Sequence, residues 1–113
     1  MDQATASLLA DLNFAASEIA HTSVHERVAL LTRAAACIEN FNRRILQAGR
    51  PAYASDAIVR EWRKMAREVA YLADAKLAET LKGAALLIEA TQVILDAQYE
   101  VVLERHQPKG RAN

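Results

Sequence analysis

Apolar residues recur at three- and four-residue spacing along nearly the whole chain, the period of helices that bury one face, and no run alternates as a strand would. Leu8, Leu9, Leu12, Ala16 and Ile19 share one face of a helix expected from about Asp2 or Thr5 to Ala20, with Phe14 on the far side. Ser23 and Glu26 then have the S-x-x-E spacing of a capping box, in which the serine oxygen accepts from the third-position amide while the glutamate reaches back. A second helix is predicted from there to about Ala48, burying Val28, Leu31, Ala35, Ile38, Phe41, Ile45 and Leu46, and Gly49 is placed to end it in a left-handed turn. Pro51 makes Arg50–Ala54 a loop, after which Ser55 or Asp56 caps a third helix. The apolar face of that helix is Ile58, Trp62, Met65, Val69 and Leu72, with Tyr71 continuing the stripe.

After Leu72 the phase slips, and a new register begins: Leu77, Leu81, Ala84, Ile88, Thr91, Leu95, Gln98, Val102. The slip is either a bend in one long helix or a break between Ala73 and Gly83, and neither a proline nor a polar cluster marks a loop there. The chain is therefore read as all-α, an up-down bundle of three to four helices, whose last two elements form either a pair turning near Gly83 or one helix of ~75 Å over residues 56–106. Residues 1–106 make a single helical domain in this reading, and the breaker-rich, basic residues 107–113 a flexible tail.

Beyond Ala84 the apolar positions no longer form one stripe. Leu86, Leu87, Val93, Ile94 and Val101 lie outside it, and a helix apolar nearly all round is buried nearly all round. These five residues are the expected contact between two copies, in a homodimer.

Composition narrows the setting. The single cysteine, Cys37, lies among Ala34, Ala35, Ala36 and Ile38 and reads as packing in a reducing compartment. The acidic start Met1–Thr5 is unlike a basic leader, and no apolar run approaches the ~18 residues of a membrane span, so a soluble, cytoplasmic protein, bacterial in its Ala and Arg richness, is expected. Net charge is zero, but as a sum of blocks: residues 27–67 carry nine bases against three acids, and residues 68–104 seven acids against Lys76 and Lys82. Arg60, Arg63, Lys64 and Arg67 project opposite Trp62 and Met65. Together with Arg43, Arg44, Arg50 and Tyr71 they are the expected partner-binding face. An acidic protein surface suits it; nucleic acid is the alternative, at the cost of repulsion from the acidic blocks.

Catalytic signatures are thin. There is no Gly-rich phosphate loop, no G-x-S-x-G and no Cys-x-x-Cys, so neither an enzyme nor a cofactor is expected. Glu18 and His21 have the E-x-x-H spacing found in di-iron bundles. The second such pair is missing, and a cap at Ser23 sets His21 and His25 on different helices, so no metal site is expected. Thr80, Leu81, Lys82, Gly83, Ala85, Ile88 and Ala90 resemble the segment around the phosphorylated histidine of the histidine-containing phosphotransfer domains, with Glu79 where that family has histidine. A carboxylate cannot serve as that phosphoryl relay. The resemblance implies, at most, a histidine-lacking relative that docks to a receiver domain. The reading that covers the whole chain is a non-enzymatic helical interaction protein, a regulator, adaptor or assembly subunit working through helix faces.

Overall fold

The first three α-helices each start where a side chain takes over an orphan amide. In the computed structural model, which describes residues 1–106 and the surroundings of side chains up to Ala97, α1 (Gln3–Ser17) is capped by Asp2, whose carboxylate accepts from the Thr5 amide at 2.7 Å. α2 (Val24–Gln47) opens on the capping box expected from the sequence, Ser23 and Glu26 exchanging two bonds of 3.0 Å. It closes on Gly49, which takes the left-handed φ of 79° that a side chain would resist. Ser55 caps α3 (Asp56–Arg67), and α4 (Asp74–His106) follows after a short break. The tail at 107–113 lies outside the described residues.

The architecture is the all-α helical bundle read from the pattern, with α3 and α4 separate. The break falls neither at Gly83 nor within a continuous helix but at Glu68–Ala73, through a 3-10 turn at Val69–Tyr71. The first helix likewise stops at Ser17, before a 3-10 turn at Ile19–His21, rather than running on to Ala20. Two residues expected on buried stripes are also exposed: Leu46, at the frayed end of α2, and Tyr71, which the 3-10 turn rotates out of the α3 register to 89% exposure.

The two breaks are the same structure made twice. Glu18 and Glu68 both leave the helix at φ near −115°, at −119° and −110°, and each donates its amide back to the residue four before it. His21 and Tyr71 then bond back to those glutamates at 2.9 and 2.8 Å, and Thr22 and Leu72 extend at ψ 144° and 140°. Around each break the landmarks of the second half lie 50 residues after their counterparts: Ser17 and Arg67 end the short helices, and Val24 and Asp74 begin the long ones. Ala16, Glu18, Ala20, Leu31, Ala34, Ala35, Ile38 and Glu39 match Ala66, Glu68, Ala70, Leu81, Ala84, Ala85, Ile88 and Glu89 at that same offset. The chain is a tandem repeat of a short helix, a 3-10 turn and a long helix.

The halves interlock reciprocally. α1 lies chiefly on α4 and α3 chiefly on α2, each antiparallel, while α2 and α4 start at the same end and pack on each other. At that end Arg27 bridges the halves, donating to Asp74 at 3.0 Å and to the Ile19 carbonyl at 2.6 Å. Between the long helices, Leu31, Ile38 and Ile45 are fully buried alongside Leu81, Ile88 and Leu95, their counterparts. A buried amide recurs too: Asn42 donates to the Ala54 carbonyl at 3.0 Å, tying the loop to α2, and Gln92 donates to Asp96 at 2.8 Å.

Two outcomes follow. Ile38→Ala and Ile88→Ala, buried equally at equivalent places, should each cost ~2–5 kcal/mol in chemical denaturation, with similar values for the two. At Ala73, the position that Ser23 occupies in the first repeat, no side-chain oxygen is available to cap α4. Ala73→Ser should therefore stabilise the fold by ~1 kcal/mol in the same measurement.

Candidate interaction surfaces

Comparing α2 with α4 separates what the fold requires from what it does not. Phe41 and Thr91 apart, the central inward positions carry the same kind of residue in both halves, from Leu31 and Leu81 to Ile45 and Leu95. Outward positions do not: Asn40, Arg43, Arg44 and Gln47 on α2 correspond to Ala90, Val93, Ile94 and Ala97 on α4. Leu86 and Val93 are 62% and 64% exposed, whereas Leu87 and Ile94 are half-buried against the core. The surroundings of Val101 lie outside the described side chains. At these positions α2 turns polar side chains outward and α4 turns hydrocarbon, on the same backbone.

The basic residues divide between two edges. Arg60, Lys64 and Arg67 are exposed on α3 away from Trp62 and Met65, as the spacing predicts. Arg63, half-buried, reaches across to Glu39 of α2, one turn before Arg43. A shallow hollow between these helices, lined by Glu39, Asp56, Val59, Arg60 and Arg63, therefore mixes both signs of charge. Arg44 turns to the other side of α2, toward Asp2, whose carboxyl is held below the usual carboxylate range chiefly by the Thr5 amide and in smaller part by Arg44. Arg50 stays exposed in the loop, and exposed Tyr71 lies four residues beyond Arg67. The basic face is accordingly an α2–α3 edge of Arg43, Arg60, Arg63, Lys64 and Arg67, with Arg44 displaced from it.

A groove that the sequence pattern did not reveal runs between α1 and α2. Exposed Phe14 and the apolar Ala15, Ala29 and Leu30 line it, with His21, Glu18, Glu26 and the Asp11–Arg33 ion pair of 3.0 Å at its rim. Its counterpart in the second half is lined by Glu61, Met65, Lys76, Thr80 and Gly83, at the positions of Asp11, Ala15, Glu26, Leu30 and Arg33. Matching the chain against itself at a 50-residue offset would have shown the repeat that places both grooves, but not their linings, since none of these five pairs is identical.

His21 sits in the 3-10 turn and His25 in α2; among the described residues no group of three or more His, Cys, Asp or Glu side chains converges as metal ligands would. Glu79 is exposed on α4 one turn before Gly83, beside Lys82 and, across a groove, Asn13 and Ser17 of α1. Cys37 is half-buried, and burial pushes its thiol up to about 11, with the Asp2 charge adding to the effect. Such a thiol is almost entirely protonated at neutral pH and is no nucleophile. None of the described helices is long and apolar enough to cross a membrane. Comparison with protein-family models, with curated proteins and with solved structures returned no match to this chain.

In the folded protein at pH 7.5, Cys37 should react with iodoacetamide at least tenfold more slowly than free cysteine, and at the free rate once unfolded in urea; mass spectrometry of timed aliquots measures both.

Proposed function

We propose that this chain is a non-enzymatic helical interaction protein, a regulator, adaptor or assembly subunit, that works as a homodimer through the outer face of α4. The observation that carries this reading is the exposure of Leu86 and Val93 on a helix whose own repeat has Ala36 and Arg43 at the same places. The fold is satisfied by alanine at the first of these places and by arginine at the second. Hydrocarbon in those positions gains nothing within the subunit and is stabilising only when a second surface covers it.

The α2–α3 edge supplies the second contact, for an acidic protein surface. Exposed Arg60, Lys64 and Arg67 have one-turn spacing on a short, well-capped helix, the two arginines able to pair with carboxylates through two bonds each and Lys64 adding a point charge between them. Nucleic acid is the lesser reading, because Glu39 and Asp56 stand within the same cluster and would repel phosphates. A cytoplasmic location belongs to this proposal.

Light scattering coupled to size-exclusion chromatography at micromolar concentration should return twice the chain mass of 12.4 kDa. A single-chain mass there removes the dimer. Leu86→Lys with Val93→Arg, which puts charge on the outer face of α4 and gives position 93 the arginine that α2 carries at Arg43, should yield a folded monomer.

A further inference from the structure

The outer residues of α4 have an order that fixes how a second copy would lie on them. Gly83, Leu86, Ala90, Val93 and Ala97 follow one another by three, four, three and four residues, the spacing of a coiled-coil seam. The two edges of that seam differ. Lys82, Glu89 and Asp96, all exposed and seven residues apart, form one; Leu87 and Ile94, half-buried and apolar, form the other.

We infer that the seam packs against the same seam of a second copy running in the opposite direction, Leu86 of each chain over the partner's Ala90 and Val93 over the partner's Gly83. The inference rests on the self-association proposed above and adds its orientation and register. In an antiparallel pair like edges meet, so the apolar edges of Leu87 and Ile94 cover one another and the charged edges lie together. Because the charged edge then runs backwards along itself, Lys82 of each chain falls against the partner's Asp96, twice per dimer. A parallel pair would instead lay Lys82, Glu89 and Asp96 over leucine and isoleucine, desolvating charge with no counter-charge. The like-charged meeting that remains, Glu89 with its copy beside the axis, is at the wet edge, where solvent screens it.

Both of these layers set a large residue on a small one, which lets the helix axes approach and fills the space between them, and Ala97 falls next over the partner's exposed Glu79. Gly83 becomes intelligible in these terms. A Cβ added to it would meet nothing within 4 Å in its own chain, so packing within the subunit does not call for glycine. A glycine in mid-helix costs ~1 kcal/mol relative to alanine. A partner's Val93 seated on it supplies the reason.

The test uses the full chain with Cys37→Ser, carrying Lys82→Cys or Asp96→Cys. Each single-cysteine protein is oxidised alone and after mixing and exchange with the other, with light scattering run in parallel. The expected result is a disulfide-linked dimer from the mixture, with at least tenfold less from either protein alone. A scattering dimer in which Lys82→Cys links to itself as readily as in the mixture overturns the antiparallel arrangement and leaves self-association standing. A monomer by scattering overturns both. Gly83→Leu is the second readout: helix content and monomer melting temperature are retained while dimerisation weakens at least tenfold. Dimerisation of that variant at the original strength overturns the register.

Discussion

The structure depends on the mutual burial of two long helices that start at the same end. Leu31, Ile38 and Ile45 on α2 and Leu81, Ile88 and Leu95 on α4 form its axis, and the short helices complete it by crossing over, α1 onto α4 and α3 onto α2. Neither half can bury its own long helix, since each short helix lies mainly on the other half. Full burial of an aliphatic side chain contributes ~1.5–3 kcal/mol, so these six residues alone outweigh any cap or ion pair on the page, and they do so only when both halves are present. The surface ion pairs Asp11–Arg33 and Glu39–Arg63 follow from this arrangement rather than cause it.

The helical class, the capping box at Ser23, the left-handed Gly49 and the α4 register from Leu77 to Leu95 were all legible in the sequence, because each is a local pattern with a local cause. The reversal after α3 was not. In the first half the break before the long helix is announced by Ser23 and Glu26. In the second, the same places hold Ala73 and Lys76, so the turn persists with its cap signal gone. What holds it there is tertiary: Val69 is buried, and Arg27 reaches Asp74 from the other half. Propensity alone favours continuing a helix through Glu-Val-Ala-Tyr-Leu-Ala, and packing overrides it. The repeat was the signal that could have revealed this, since a turn marked at one site implies a turn 50 residues later.

The surfaces were legible to different degrees for a related reason. The outward direction of Arg60, Lys64 and Arg67 depends only on the phase of α3 and followed from its apolar stripe. That Arg43 and Arg44 face different edges depends on which helix flanks α2 on each side, which no periodicity contains. On α4 the five apolar residues outside the main stripe could be named from sequence, yet not sorted. The structure divides four of them into Leu87 and Ile94, which lean on the subunit's own core, and Leu86 and Val93, which do not.

That division bears on why the two halves differ at all. Positions facing the shared core are constrained alike in both, and the central ones largely agree, with alanine at Ala34 and Ala84 and isoleucine at Ile38 and Ile88, though Phe41 answers to Thr91. Positions facing out are free of that constraint, so whatever character they hold must answer to something outside the subunit or to solvent. Water accounts for Asn40, Arg43 and Gln47 on α2. It does not account for Ala90, Val93 and Ala97 on α4, nor for a glycine at Gly83 with open space around it. Drift would scatter polar and apolar residues along that face. Instead the apolar and small residues from Gly83 to Ala97 fall into one seam with charge on a single edge, where Lys82 and Asp96 at its two ends match their own reverse and Glu89 between them does not. The antiparallel pairing inferred above is the arrangement that uses both the seam and the two ends of that edge.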